Sequence, residues 1–339
     1  PTLLRWGRVS LGQLAEKARN PLLRRLWMHA FVPEMAAVFV ALTVAWMHKK
    51  CAGYPLGGSR PLAEKVAASF LAAGGTLHYG ARVCKILTRN GRATGVVLAD
   101  GEEQQAEIVI SAADAHMTIF ELLGGDFFDS RITKLFQQFT PFPSYVLVAL
   151  GVARSFADIP HSTLLPCQPP LQLDSGTVVH DLPVRISTFD PMLAPPGKTL
   201  ISCWLTTRDF AYWLNLRKSD RAKYKEEKER LAMQVVEVLD ARYGHVKDCL
   251  EMVDVAAPAT VIRYTNNYQG SFEGWVLTPQ VLTRRIAKTL PGLDGFYMAG
   301  HWVEPGGGLP TALLSGRNVA QLICHRDGRP FSPATQPKP

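Results

Sequence analysis

Cysteine is scarce in this sequence of 339 residues, and no two of the cysteines form a Cys-x-x-Cys motif. That spacing is typical of zinc sites, so its absence argues against a metal centre. A disulfide framework is typical of short chains rich in cysteine, which this chain is not. We therefore expect reduced thiols, a cytoplasmic location and no metal site. The six cysteines are Cys51, Cys84, Cys167, Cys203, Cys249 and Cys324.

A hydrophobic run long enough to cross a bilayer is also lacking. The candidate stretch, residues 35–47 (MAAVFVALTVAWM), is apolar for 13 positions and is followed by His48, Lys49 and Lys50. A transmembrane helix needs about 20 apolar residues. The favoured interpretation is a buried core helix. The alternative is a helix that contacts the bilayer surface, which would make the protein peripheral to a membrane.

Positive charge is in excess but is not concentrated. The net charge is +8, and the small basic clusters at residues 24–25, 49–50 and 284–285 lie far apart in the chain. A nucleic-acid-binding protein typically carries a dense basic stripe, so we expect no nucleic-acid partner. An ordinary solvated surface or a face resting on anionic lipid accounts better for this charge.

What is present is an ordinary globular pattern of helices and strands. Residues 1–50 read as helices, the first of them from Trp6 to Asn20, and a glycine-rich loop at residue 53 leads to an amphipathic helix that ends at Gly74-Gly75. Asn90-Gly91 predicts a tight hairpin between two strands. The predicted strands in this half of the chain are 76–79, 82–88, 94–99 and 106–111.

The middle of the chain is less regular. Its predicted strands are 145–151, 184–189 and 199–205, and its prolines predict loops at 158–170 and 191–197. The charged stretch within residues 217–242 predicts a helix with a solvated face. The polar tail after Phe331 is expected to be disordered.

Several segments together carry a resemblance to a known family. They are PLGGSRPLAEKVAASFLAAGG, ARVCKILTRNGRATGVVLADG with the following IVISAAD, AAPATVIRYTNNYQGSFEGW and GFYMAGHWVEPGGGLPTALLSGRNVA. In combination they resemble the FAD-dependent phytoene desaturase and carotenoid isomerase group of the amine-oxidase-like flavoproteins. The resemblance covers residues 53–330 and is looser before residue 53.

The resemblance implies an α/β (mixed α+β) fold in which two domains interleave along the chain. A Rossmann-like FAD domain would comprise residues 54–115 and 256–330. A sheet-plus-helices substrate domain would comprise residues 116–255, with residues 1–53 as its helical part. Residues 331–339 would form the disordered tail. The FAD-domain strands near residues 76–111 and 295–299 are therefore expected to lie in one domain.

One element of the family is missing. The family begins with a strand, a GxGxxG loop and a helix that hold the FAD pyrophosphate, and no segment here matches them. The FAD domain is thus expected to lack its first βαβ unit. Because the chain also begins at Pro1 rather than Met, we expect it to be the C-terminal portion of a longer protein. We expect the chain expressed alone to be inactive and not to hold FAD.

The glycine run at residues 306–308 is the centre of the implied flavin site. Backbone N–H groups at a helix N-terminus favour negative charge, such as that of a reduced flavin around N1 and C2=O, and glycines remove Cβ atoms that would hold the ring away. The residues that the resemblance places near FAD are Arg82, Val83, Asp114, Gly300, His301, Glu304, Pro305, Gly306, Gly307, Gly308, Leu309 and Pro310.

Several of these residues have alternative roles. Val83 would contribute only main-chain contacts, and Asp114 would cap the helix that begins at Ala115. His301 stands where many relatives have Asp, and it would hydrogen-bond a flavin hydroxyl. Glu304 faces either the flavin edge, a substrate or water. Glu304 and His301 are also the candidate catalytic residues, since no other catalytic set can be argued.

The implied function is that of an FAD-dependent oxidoreductase. It would move hydride between flavin N5 and a hydrophobic small-molecule substrate of the isoprenoid or polyene type, with the protein supplying orientation and a dry pocket. Within flavin chemistry the alternative is a polyene isomerase or a saturase. The alternative of another class is a catalytically silent lipid- or partner-binding protein that retains the fold.

Overall fold

The computed structural model describes residues 2–332 and shows a mixed α/β fold. The helices are α1 (Thr2–Gly7), α2 (Leu11–Lys17), α3 (Pro21–His29), α4 (Val38–His48), α5 (Ser59–Ala72), α6 (Ser130–Gln138), α7 (Phe210–Ser219), α8 (Arg221–Tyr243), α9 (Pro258–Thr265) and α10 (Gly308–Arg326). A π-helical turn covers Met117–Leu122, and a 3₁₀ turn covers Tyr268–Gly270.

The strands form three sheets. They are β1 (Val83–Arg89), β2 (Arg92–Leu98), β3 (Glu103–Gln105), β4 (Val109–Ser111), β5 (Ser144–Val152), β6 (Ser162–Gln172), β7 (Val178–Ile186), β8 (Thr199–Thr207), β9 (Leu250–Ala256) and β10 (Phe296–Met298). The sheet orders are β1-β2-β3, β10-β4 and β6-β7-β8-β5-β9. Only the β10-β4 pair, among these described strands, is parallel.

The chain divides into two compact units, each assembled from separated segments. The first unit contains residues 1–38, 80–142 and 273–339, and the second contains residues 39–79 and 143–272. Strand β10 pairs with β4 within the first unit, although almost 200 residues separate them in sequence. Of the segment 76–111 that was expected to share this unit, residues 76–79 lie in the second unit. The chain is therefore interleaved, as the resemblance implied.

The boundaries of these units differ from the predicted domains. Residues 1–38 join the first unit because the Ala36 N–H donates to the Leu277 carbonyl, 2.9 Å away. Residues 54–79 join the second unit, where the Gly57 N–H donates to Asp190 Oδ2 at 2.7 Å. Residues 116–142 belong to the first unit and residues 256–272 to the second. Which unit binds the cofactor stays a prediction.

The second unit has a large core between its five-stranded sheet and α8. Along β5 every second residue is buried, as expected for a strand with one face on a core. Its buried side chains pack in one cluster with those of α8, which include Leu231, Val235 and Leu239. Outward residues of the charged segment, Lys225 and Glu229, lie on the solvated face of α8, as predicted.

Several predicted elements are corrected by the structure. Residues 76–79 form no strand. The proline-rich segment predicted as a loop contains β6, and this is possible because β6 is an edge strand, where a missing N–H is tolerated. Pairing between β6 and β7 is irregular between Pro166 and Leu171, where the other prolines lie.

The N-terminal helices also differ from expectation. The helix predicted from Trp6 to Asn20 is broken between α1 and α2, where Ser10 forms a bridge with Ala36. The apolar run at residues 35–47 is not a buried core helix: α4 begins only at Val38, and Trp46 and Met47 are exposed. No helix within residues 2–332 combines the length and apolar character needed to cross a bilayer. The predicted disordered tail lies, from residue 333 onward, outside the described residues.

Candidate functional site

The parallel strands β4 and β10 bring their carboxyl ends together. The Ala299 N–H donates to the Ser111 carbonyl at 2.9 Å, and the Gly300 N–H donates to Ser315 Oγ at 2.7 Å. Helix α10 packs back on β10, since Val319 lies in one buried cluster with Tyr297. Ligands of open α/β sheets bind at such carboxyl ends. The loop from Gly300 to α10 is therefore the candidate site.

Asp114 follows β4 at the same edge. It is 2% exposed, and its Oδ1 accepts a hydrogen bond from the Met117 N–H at 2.8 Å. The predicted capping role is thereby confirmed. The cap fixes the start of the π-helical turn beside the loop after β10.

A carboxylate occupies the amino end of α10. The Gly308 N–H donates to Glu273 Oε1 at 2.7 Å. A Cβ built on Gly307 would overlap Oε2 of the same carboxylate. The sequence suggested that the missing Cβ atoms of residues 306–308 leave room for the flavin ring. In the structure, the Glu273 carboxylate occupies that room at Gly307. Burial raises the pKa of Glu273 to about 7, against a lowering effect of the Gly308 hydrogen bond.

Glu304 lies in an ion pair. Its Oε2 is 2.6 Å from Nζ of Lys288, and the Asn318 amide donates to the same oxygen at 3.2 Å. The lysine also donates to the Val303 carbonyl at 3.4 Å. The structure adds an ion pair that the sequence did not suggest, and the 27% exposed side chain of Glu304 keeps some contact with water. A contact of Glu304 with the flavin edge or a substrate stays a prediction. Lys288 and Glu304 together hold the loop against α10.

His301 carries a buried polar atom without a protein partner. Its Nδ1 is inaccessible and makes no hydrogen bond. Burial lowers the pKa of His301, which favours the neutral ring. A Cβ on Gly274 would overlap the His301 carbonyl, so His301 packs directly against the residue that follows Glu273.

An apolar cavity of about 510 Å³ adjoins this loop within the first unit. Trp302 and Val303 of the loop line it, but Gly307 and Gly308 do not. The fully buried Trp275 fixes the position of Trp302 in the cavity lining. The Trp275 Nε1–H donates to the Trp302 carbonyl at 3.1 Å, and the centroids of the two rings lie 4.8 Å apart in an edge-to-face arrangement. The other apolar lining residues are Ala115, Ile119, Ile132, Leu135, Phe136, Phe139, Ile286, Ala287, Leu290, Pro291 and Met298. Charged and polar side chains also line the cavity: Asp129, Arg131, Lys134, Gln138, Arg284, Arg285 and Thr289.

The remaining predicted site residues fall into two pairs. Arg82 and Val83 lie at the start of β1, and Leu309 and Pro310 lie on the surface of α10. Arg82 is exposed and its carbonyl accepts the Ala99 N–H at 2.8 Å, while Val83 begins β1 and pairs with Leu98. Leu309 and Pro310 are exposed at the start of α10. Of the predicted set, the structure gathers the segment from Gly300 to Gly308, with Asp114 at the neighbouring strand end.

Three contributors to the site were not predicted. Glu273 was the only acidic residue in the quoted GSFEGW motif, and this was its one available signal. Lys288 and Trp275 gave no signal, because their contacts with Glu304 and Trp302 depend on tertiary packing. Residues 2–332 contain no group of three or more His, Cys, Asp or Glu side chains placed to bind a metal ion.

Comparison with known proteins decides the family. The model of the family described as flavin containing amine oxidoreductase matches residues 26–324, most of the chain. The chain belongs to this family. FAD is the cofactor that membership of the flavin containing amine oxidoreductases implies.

Individual relatives agree with the family. Prolycopene isomerase 2, chloroplastic, of an Oncidium hybrid cultivar is 28% identical over 283 residues, which cover 80% of this chain and 46% of the relative. Phytoene desaturase (neurosporene-forming) of Rhodobacter capsulatus is 29% identical over 297 residues, covering 80% of this chain and 53% of the relative. The chain thus spans about half the length of these curated relatives.

A solved structure supports the fold. An oxidoreductase from Methanosarcina mazei superposes with a TM-score of 0.61 at 18% identity, covering 93% of this chain and 68% of that one. At this identity the likeness shows the fold alone. The expected α/β fold of the amine-oxidase-like flavoproteins is confirmed.

Two polar groups near the glycine loop suit the polar edge of a flavin. The Gly308 N–H already binds a carboxylate oxygen, an acceptor of the same kind as a flavin carbonyl. His301 Nδ1 offers a second buried polar atom that lacks a partner in the protein. Gly300, His301 and the start of α10 would hold the cofactor's acceptor edge, provided that the Glu273 oxygen gives way.

Proposed function

We propose that this family member is part of an FAD-dependent oxidoreductase that acts on a hydrophobic polyene. The observation that carries the proposal is the cavity of about 510 Å³, whose mainly aliphatic and aromatic lining shares Trp302 and Val303 with the loop leading into α10. Its volume lies within the range of small-molecule sites, roughly 300–1,000 Å³. An apolar chain would lie beside the loop that we assign to the flavin.

The family chemistry assigns roles to this chain's residues. FAD, when bound, supplies the hydride-accepting centre of the reaction. Phe136, Phe139 and Trp302 would exclude water and orient an apolar substrate. We assign the cofactor to the first unit, through Gly300, His301 and the start of α10, with Arg82 and Val83 nearer the adenine half and Asp114 at the strand end beside Gly300. The second unit as a substrate domain stays a prediction.

Isomerisation is the second candidate. The observation that favours it is the likeness to prolycopene isomerases, of which one is 28% identical over 80% of this chain. Saturation of a double bond is the same redox chemistry in the reducing direction. A silent lipid- or partner-binding protein is the alternative of another class.

One experiment separates these functions. The protein, expressed from its complete reading frame and loaded with FAD, is mixed with an acyclic polyene in the absence of oxygen, once with oxidised and once with chemically reduced flavin. A desaturase bleaches the flavin band and gives a product that lacks two hydrogens. An isomerase leaves the product mass unchanged, and a saturase acts only with reduced flavin. Failure to bind flavin or to change any polyene would contradict the proposal and favour the silent binding protein.

A peripheral membrane contact is supported by α3. Leu22, Leu23 and Leu26 are 70%, 47% and 56% exposed, and Arg24 and Arg25 lie between them. Exposed apolar side chains with arginines are typical of helices that rest on anionic lipid. Co-sedimentation with phosphatidylserine vesicles, compared between the wild type and a variant with Leu22→Ser and Leu26→Ser, tests this contact. A cytoplasmic location stays a prediction, since plant relatives are named chloroplastic.

A further inference from the structure

At the start of α10, a side chain of the protein itself accepts the hydrogen bond of a backbone N–H group. The Glu273 carboxylate receives the Gly308 N–H at 2.7 Å, and α10 extends for 19 residues behind that hydrogen bond. An anion at the amino end of a helix is stabilised by the N–H groups and by the helix dipole. Glu273 thus holds the position that a flavin carbonyl would need.

The backbone is shaped around this carboxylate. Gly307 has φ 72° and ψ 170°, a conformation that residues other than glycine scarcely adopt. Its missing Cβ lies where Glu273 Oε2 sits. On the far side, Gly274 has no room for a Cβ because of the His301 carbonyl. Glycines on both segments therefore allow Glu273 to approach the helix closely.

The same N–H cannot give a full-strength hydrogen bond to two acceptors in one direction. A carboxylate beside a reduced, anionic flavin would also add like-charge repulsion in a partly buried site. Glu273 and the flavin edge thus exclude each other at Gly308.

We propose that Glu273 is a positioning residue that occupies the flavin's hydrogen-bonding place at the start of α10 and is displaced when the cofactor binds. The inference rests on the proposed function, because it presumes a flavin at α10. In the free protein the carboxylate occupies the Gly308 N–H. In the loaded protein the Gly308 N–H turns to the cofactor, and Glu273 becomes available near its edge.

The test is a titration of the flavin-free protein, expressed from its complete reading frame, with FAD. It is run above the Glu273 pKa of about 7, where the carboxyl group is ionised. Glu273→Gln retains the shape but offers a neutral, weaker acceptor, so the Kd for FAD should fall roughly 5- to 10-fold. Glu273→Ala removes the competitor and should lower the Kd at least as much. Glu237→Gln on α8 removes the same charge at an exposed position and should leave the Kd unchanged.

Tighter binding is the diagnostic result, because a merely structural cap would weaken FAD binding when it is removed. An unchanged or higher Kd in Glu273→Gln, with FAD still bound by the wild type, overturns the inference alone. Absence of FAD binding in every protein overturns the proposed function and the inference with it. Where Glu273→Ala does not fold, the isosteric Glu273→Gln decides the question.

Discussion

Nζ of Lys288 lies 2.6 Å from Oε2 of Glu304, and 12% of the lysine side chain is exposed. Replacement of Lys288 by Met would leave the partly buried carboxylate without its cation. We expect a loss of about 2 kcal/mol in the free energy of unfolding, less than for a fully buried pair. Urea denaturation measures it. The matched control is Lys198→Met, whose Glu251 pair is more exposed and should cost at most about 1 kcal/mol. Equal losses in both variants would contradict the role given to Lys288.

The conformation of Gly307 gives a second prediction. Alanine at this position would be strained by its positive φ and would push Glu273 aside, so Gly307→Ala should cost roughly 1–3 kcal/mol of unfolding free energy. Gly316, in the interior of α10, has open space around a built Cβ. Gly316→Ala should therefore stabilise the protein by about 0.5–1 kcal/mol. Thermal and urea unfolding measure the change in unfolding free energy of the two variants. Changes of the same sign in both variants would refute this account.

The raised pKa of Glu273 predicts a particular pH dependence. Because the folded protein holds this proton more tightly than the unfolded chain, the contribution to stability is complete at acidic pH and is lost as pH rises toward about 7. Compared with Glu273→Gln, the wild type should lose on the order of 2–3 kcal/mol between about pH 4.5 and pH 8. Urea unfolding of both flavin-free proteins at the two pH values measures the difference. A constant difference would show that the carboxyl group titrates normally.

The cavity gives a prediction about substrate. Leu135 lines it, whereas Gln137 on the same helix is exposed and does not. Leu135→Trp should fill the cavity and lower kcat/KM for a polyene at least roughly tenfold, a loss of about 1.4 kcal/mol in transition-state binding. Flavin content should not change. Gln137→Trp adds the same ring outside the cavity and should retain activity. Full activity in Leu135→Trp would place the substrate elsewhere.

Local signals in the sequence predicted local structure well. Asn90 and Gly91 both adopt positive φ in the hairpin between β1 and β2, as the dipeptide indicated. The prolines of residues 158–170 led to a wrong prediction of a loop. These residues contain strand β6, which tolerates proline because it lies at the edge of its sheet. The run at residues 35–47 misled because apolar composition does not say which side chains become buried.

The site was predictable only in part for the same reason. The glycine run at residues 306–308 pointed correctly to a helix start, and GLP opens α10 as expected. What fills the turn could not be read from it, because Glu273 lies 35 residues from Gly308 in sequence. The ion pair of Glu304 could not be predicted either, because nothing in the sequence places Lys288 beside it.

The central claim is that the flavin binds at the amino end of α10, and its most direct test is the flavin content of two leucine variants. Leu309 in the first turn and Leu322 near the other end are 50% and 41% exposed. Glutamate at position 309 suits the helix dipole, so Leu309→Glu should fold, yet it places a negative charge where the flavin would lie. With the complete reading frame purified in excess FAD, the visible spectrum after gel filtration should show stoichiometric flavin in the wild type and in Leu322→Glu, and little in Leu309→Glu. Stoichiometric flavin in Leu309→Glu would contradict the claim.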